Sequence, residues 1–236
     1  MEYLQYIIHF ERYIQPVIHA FGPFIYGILF FIIFAETGFV VTPFLPGDSL
    51  LFIVGTLAGS GFLNIWIAYP LLLAAAILGN MANYWLGHKL GHKVFNKENS
   101  RWFNRENLEK THEFFEKYGG KTIIITRFMP IIRTFAPFVA GMGSMDRKTF
   151  MIYNLAGGFL WVTSITFAGF FFGGMKVIKD NFEYAVLVIV LLSLLPAIYE
   201  YIKHKIEPGM PKEQLKHANF EEIKGTFKKE HLSEEK

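Results

Sequence analysis

Residues 66–87 (WIAYPLLLAAAILGNMANYWLG) contain no charged side chain, and neither do residues 149–173, a Phe- and Gly-rich run. About 20 apolar residues in a helix cross the ~30 Å hydrocarbon core of a bilayer. Runs of this kind therefore restrict the chain to a membrane or to an exceptionally apolar core. Composition favours the membrane: 52% of the residues are hydrophobic, 26 are Phe and only 18% are charged, against about 25% charged in soluble domains. Residues 182–202 form a third run, with Pro196 inside it. Residues 21–35 (FGPFIYGILFFIIFA) form a shorter fourth, which Val17 and Ile18 would extend. Residues 2–20 mix apolar and charged side chains and read as an interfacial helix. They lack the basic start and small-residue cleavage site of a signal peptide, so the start is expected to be retained. The expected organisation is an N-terminal helix over 1–20, a transmembrane domain over 21–202 and a charged tail over 203–236.

Two stretches fit no straight helix. Residues 36–63 are apolar enough for lipid yet contain Glu36, Pro43, Pro46, Gly47 and Asp48. Residues 122–143 are apolar except for Arg127 and Arg133 and are interrupted by Pro130 and Pro137. Proline removes a helix hydrogen bond, and broken backbone at membrane depth is tolerated only inside protein or around a water-filled cavity. Residues 88–121 are polar; Leu108, Thr111, Phe115 and Tyr118 recur at helical spacing before Gly119-Gly120, the pattern of an amphipathic surface helix with a glycine stop.

Basic residues cluster in 88–121 and in the tail, with Arg147 and Lys148 a third, smaller group. The positive-inside rule assigns the first two to the cytoplasm, and counting crossings back from the tail then puts Arg147 inside as well. By the same count, residues 122–143 must leave the cytoplasm and return to it, and residues 36–63 must enter from the opposite face. The expected fold is an all-α polytopic membrane protein, with two opposed re-entrant helical hairpins in an inverted repeat and about four spanning helices. Interrupted segments in corresponding positions of two halves point to a transporter with its site near the midplane.

Each charged residue at a helix centre costs about 2.5–3.5 kcal/mol on insertion scales, so Glu36, Asp48, Arg127 and Arg133 should face one another or a cavity. One reading is a pair of salt bridges that lock the hairpins. The other divides the labour: Arg127 and Arg133 bind a phosphate or carboxylate through their planar forks, and Glu36 and Asp48 take up a proton. The two readings are compatible if the pairs break when substrate arrives. Asn80, Asn83 and Asn154 lie within spans and could bond between helices or line the cavity. His88 and His92 have helical metal-ligand spacing but no third ligand nearby. Gly55–Gly59 and Gly87–Gly91 have the spacing of helix-packing motifs. Gly59-Ser60-Gly61 and Gly143-Ser144 lack the flanks of a nucleophile elbow, and the absence of cysteine removes disulfides, thiolate metal sites and Cys nucleophiles. No enzyme activity, cofactor, metal or nucleic-acid partner is expected.

Glu36-Thr37-Gly38 followed by Pro43-Phe44-Leu45-Pro46-Gly47-Asp48-Ser49-Leu50-Leu51 resembles the first signature of the DedA family (SNARE-associated, or VTT, domain). Arg127-Phe128-Met129-Pro130-Ile131-Ile132-Arg133, followed by Pro137 and Ala140-Gly141, resembles the second. Gly79-Asn80, Tyr84, Gly87 and Gly91 are similar to the glycine-rich span between them, and Phe150, Asn154, Gly157-Gly158 and Trp161 to the helix that follows. The resemblance covers roughly residues 20–175. One position departs: many members carry an acidic residue where this chain has Asn80.

The resemblance implies lipid transport in the bacterial cytoplasmic membrane, dependent on the positions of Glu36, Asp48, Arg127 and Arg133. The function it implies first is translocation of undecaprenyl phosphate, coupled to H+ or Na+. A phospholipid flippase or scramblase of the phosphatidylethanolamine type, and a small-ion or drug–proton antiporter, are the alternatives. The expected partners are an anionic lipid, the membrane and the coupling ion; homo-oligomerisation is left open.

Overall fold

The computed structural model of the chain describes residues 21–39, 47–95, 105–129, 132–176 and 178. The expected N-terminal helix, Pro43, Pro46, Pro130, the 182–202 span and the charged tail lie outside them. The order is α1 (Phe24–Gly38), α2 (Gly47–Gly59), α3 (Ile65–Phe95), α4 (Arg105–Tyr118), a 3-10 turn (Gly119–Lys121), α5 (Thr122–Ile125), a second 3-10 turn (Thr126–Phe128), α6 (Ile132–Met142) and α7 (Arg147–Gly174). All regular structure among the described residues is helical, as expected.

α3 over Ile65–Leu90 and α7 are long and apolar enough to cross a membrane, while α1 and α2 are apolar but shorter. Only 33% of the most apolar window of each long helix is buried, whereas the core helix of a soluble protein would be mostly covered. Phe24, Phe31, Trp66, Ile152 and Phe171 are strongly exposed. So much bare apolar surface is unfavourable in water and natural in lipid.

Three boundaries differ from the sequence reading. Glu36, expected on the first broken segment, stands in the last turn of α1. α3 does not stop at Gly87 but runs on to Phe95; Gly87 costs the helix some propensity but sits where α3 packs against the Phe138 backbone. Pro137, expected to break its segment, sits inside α6. A proline there removes the bond to the carbonyl four residues back and crowds that carbonyl with its ring, and the packing around α6, buried from Arg133 to Met142, carries the helix through it. The interruption falls upstream of α6, where Met129 turns extended (φ −116°, ψ 103°).

The chain divides into two compact units, with α1, α3 and α7 each contributing one part to either. In the first unit, α2 packs on the C-terminal part of α7 through reciprocal glycines. A Cβ at Gly55 or Gly59 would strike the backbone of Thr166 or Phe170, and one at Gly169 or Gly173 would strike the backbone of Phe52 or Thr56. Only glycine permits helix backbones to approach this closely. Ser60 Oγ donates to the Gly173 carbonyl at 3.1 Å. Asn64 caps α3, its Oδ1 accepting from the Trp66 N–H at 2.9 Å.

The second unit is built around α6, whose residues Arg133–Met142 are all buried. It packs on the C-terminal part of α3 by the same device: a Cβ at Gly87 would meet the Phe138 carbonyl, and one at Gly141 the Tyr84 carbonyl. Tyr84 donates its hydroxyl to the Met145 carbonyl at 2.5 Å and stacks on Phe150 at 4.3 Å. α4 is the amphipathic helix expected; it turns Thr111, His112 and Phe115 inward and packs on α6. Gly119, at φ +58°, ends it. Asp146 caps α7, its Oδ2 accepting from the Lys148 and Thr149 N–H groups at 2.9 and 3.0 Å.

Candidate functional site

The cavity of the second unit is lined by Glu36, Thr37, Asn80, Arg127, Arg133, Thr134 and Trp161. The elements around it explain each side chain's place. The last turn of α1 supplies Glu36 and Thr37, and Thr37 Oγ1 folds back onto the Ile33 carbonyl at 2.8 Å. The 3-10 turn before Met129 supplies Arg127, and the first turn of α6 supplies Arg133 and Thr134. The interruption between these last two elements thus brings two arginines, six positions apart in the sequence, to one cavity. α3 supplies Asn80, and Asn83 one turn later ties the elements together. Its Nδ2 donates to the Thr134 carbonyl at 2.7 Å and to the Thr37 carbonyl at 3.3 Å.

The two arginines are held differently. Arg133 Nη2 donates directly to Glu36 Oε1, forming a buried ion pair. Arg127 meets neutral acceptors. Its Nη2 donates to Asn154 Oδ1 at 2.6 Å and to the Ala76 carbonyl at 3.3 Å. With its amide oxygen turned toward the guanidinium, Asn80 accepts from Arg127 Nη2 at 2.8 Å and from Nε at 3.3 Å. Asn154 in turn gives its Nδ2 to the Ile77 carbonyl at 3.1 Å, which keeps its oxygen aimed at the arginine. The ring of Trp161 lies 5.3 Å from Arg133 Cζ and 5.7 Å from Arg127 Cζ, within cation–π range of both.

The room left for water in the cavity is about 10 Å³, roughly that of one ordered molecule. A phosphate group is several times larger, so this form of the site is closed. Chemically, its described lining offers two guanidinium groups, one carboxylate, one carboxamide and two hydroxyls, largely shielded from solvent, where charge interactions are strong.

Glu36, Arg127, Arg133, Asn80 and Asn154 thus meet in one unit. Asp48 lies in the first turn of α2 and belongs to the first unit, as does Gly47, which begins that helix. Asn83, which the sequence offered as an interhelical hydrogen-bond partner or a cavity residue, takes the first of these parts; Trp161, Thr37 and Thr134 were not given a role in the site from the sequence. A signal for Trp161 existed: it follows Asn154 by seven residues, about two helical turns, and so shares its face.

A family model described as the VTT domain matches residues 45–171. The protein named Protein DedA of Escherichia coli (strain K12) is 48% identical over 204 residues, 86% of this chain and 93% of that protein. An uncharacterized membrane protein of Mycobacterium leprae (strain TN) is 42% identical over 167 residues, 71% of this chain and 75% of that one. The inner membrane protein YqjA of Escherichia coli (strain K12) is 32% identical over 177 residues, 74% of this chain and 78% of that protein. No solved structure matches the chain.

Proposed function

Since the chain belongs to the DedA family of bacterial VTT-domain membrane proteins, a family linked to membrane lipid transport, we propose that it is a flippase for a phosphate-bearing lipid, undecaprenyl phosphate first among them. The observation that carries this reading is the pair of buried guanidinium groups beside one tryptophan ring. Arginine suits phosphate because its planar fork donates two parallel hydrogen bonds and stays charged. Exposed apolar surface around the helices leaves the lipid tail in the bilayer while the headgroup enters protein.

Packing within each unit supports an inverted repeat. Each short helix that follows a proline-bearing break, α2 or α6, packs by interlocked glycines on the C-terminal part of a long helix of the opposite half. α2 takes α7, and α6 takes α3. The same helix-on-helix device thus occurs once in each unit, which is consistent with repeats that place a site near the midplane. On this reading residues 36–63 and 122–143 are the re-entrant segments, and the 88–121 region and the tail are cytoplasmic.

Glu36 and Asp48 are the proposed coupling groups for H+ or Na+. One charge moving down 100 mV releases about 2.3 kcal/mol, enough to bias a lipid between leaflets by more than tenfold. The test is reconstitution in liposomes carrying undecaprenyl phosphate in one leaflet, with a phospholipid as competitor and Arg127→Ala and Arg133→Ala alongside. Appearance of the prenyl phosphate in the other leaflet, abolished in both variants, is the expected result. A wild-type protein that moves neither lipid, or variants that move them equally well, would refute the proposal.

A further inference from the structure

We propose that the two arginines have separate duties: Arg127 is a standing receptor for a phosphate-type anion, oriented by the neutral carboxamides of Asn80 and Asn154, while Arg133 is latched by Glu36 and joins it only when that pair parts. The inference rests on the phosphate-lipid reading and specifies how that site is poised.

Four observations carry it. First, every hydrogen-bond partner of Arg127 among the described residues is neutral: Asn154 Oδ1, the Ala76 carbonyl and the Asn80 amide oxygen. A carboxamide oxygen orients a guanidinium as a carboxylate does, without cancelling its charge. Arg133, by contrast, carries Glu36 as a counter-ion. Second, Arg127 is 3% exposed, yet its Nη1 has no hydrogen-bond partner among the described residues. A buried donor left in this state is costly, and an incoming acceptor oxygen would relieve it. Third, the carboxamides are fixed. Asn154 gives its Nδ2 to the Ile77 carbonyl, and Asn80 reaches both Nη2 and Nε of the same arginine. Both are positioning residues for Arg127. Fourth, the cavity has room for about one water, so a phosphate group enters only if a wall moves. The Glu36–Arg133 contact joins α1 to α6 and is an ionic contact in that wall. An anion engaged on Arg127 competes with Glu36 for Arg133 beside the same tryptophan ring.

Asn80→Asp separates this from a merely structural role. The change is nearly isosteric and hands Arg127 a carboxylate. If Asn80 served only to hold the arginine in place, binding would be unchanged or improved. A standing receptor would instead be neutralised, leaving a protein that is as stable or more stable and binds anions worse.

The experiment uses the purified full chain in detergent, titrated calorimetrically with farnesyl phosphate, farnesol and inorganic phosphate, with an unfolding midpoint for each variant. Wild type should bind farnesyl phosphate and not farnesol. Asn80→Asp should bind at least about tenfold more weakly with no fall in its midpoint, because a unit charge is neutralised at hydrogen-bond distance in a shielded site. Arg127→Gln should lose more affinity than Arg133→Gln. Glu36→Gln should bind more tightly than wild type, since it removes the carboxylate that Arg133 is paired with. Equal losses for the two arginine variants, or Asn80→Asp binding like wild type, would overturn the division of duties while leaving the lipid reading standing. Failure of wild type to bind farnesyl phosphate would overturn both. Inorganic phosphate binding as tightly as farnesyl phosphate would support the division and reassign the ligand to a free anion.

Discussion

Removing Glu36 should cost the protein more stability than removing Arg133, although the two form one ion pair. Glu36 is 1% exposed and Arg133 9%, and Arg133 Nη2 donates directly to Glu36 Oε1. Breaking a buried pair by deleting one partner costs about 3–5 kcal/mol, because the other charge is left uncompensated. The two deletions leave different residues behind. Glu36→Gln leaves Arg133 and Arg127 beside one tryptophan ring, 5.3 and 5.7 Å from its centre, with no carboxylate among the described residues that line the cavity. Arg133→Gln leaves Glu36 beside Arg127, which still offsets it. We expect Glu36→Gln near the upper end of that range, about 5 kcal/mol, and Arg133→Gln near the lower, about 3 kcal/mol. The double variant, in which two amides can bond, should cost about 3 kcal/mol less than the sum, at the upper limit of coupling for residues in contact. The assay is unfolding in mixed micelles of rising SDS mole fraction, followed by tryptophan fluorescence. A prenyl phosphate at 100 times its Kd should return about 2.7 kcal/mol to Glu36→Gln by mass action. Additivity of the two changes within about 0.5 kcal/mol, or a larger cost for Arg133→Gln, would refute the pairing and the electrostatic argument together.

Other substitutions probe separate parts of the argument. Gly55→Ala drives a methyl group into the backbone of Thr166 and Phe170 and should destabilise by about 1–3 kcal/mol through overpacking. Gly27→Ala, whose Cβ meets nothing within 4 Å, should be neutral or stabilising by up to about 1 kcal/mol; the same micelle titration reads both. Tyr84→Phe keeps the stacking on Phe150 but leaves the Met145 carbonyl without its 2.5 Å hydrogen bond; a loss of about 1–2 kcal/mol with transport intact is expected. Arg127→Lys keeps the charge but not the planar fork that meets Asn80, Asn154 and Ala76 together. Lipid movement in the liposome assay should fall by about tenfold or more while the protein remains folded.

Much of this site was legible before any coordinates. The cost of a charge in a low-dielectric medium is a property of the residue and its apolar neighbours in sequence. Glu36, Arg127 and Arg133 could therefore be picked out as residues that must meet something, and the glycines at 55 and 59 as places of close approach. The amphipathic helix ending at Gly119 follows from the spacing of its apolar positions in the same way. Other features were illegible. Local pattern located the interruption in the second arginine segment but set it partly at Pro137, which α6 absorbs because its surroundings hold that helix on every side. Trp161 was visible as part of a family motif, but its place beside both arginines was not, because that depends on how α7 packs.

The sequence by itself therefore determined that the chain is helical, that its surface is apolar enough for lipid, and which charged side chains require partners. Only the tertiary structure decided who those partners are. Glu36 meets Arg133 across 97 positions of chain, and Arg127 meets Asn80, Asn154 and a backbone carbonyl instead of an acid. The physical reason is that desolvation is a local cost, set by what a residue is and what surrounds it. Its relief depends on direction and distance, and those are set by how α1, α3, α6 and α7 pack.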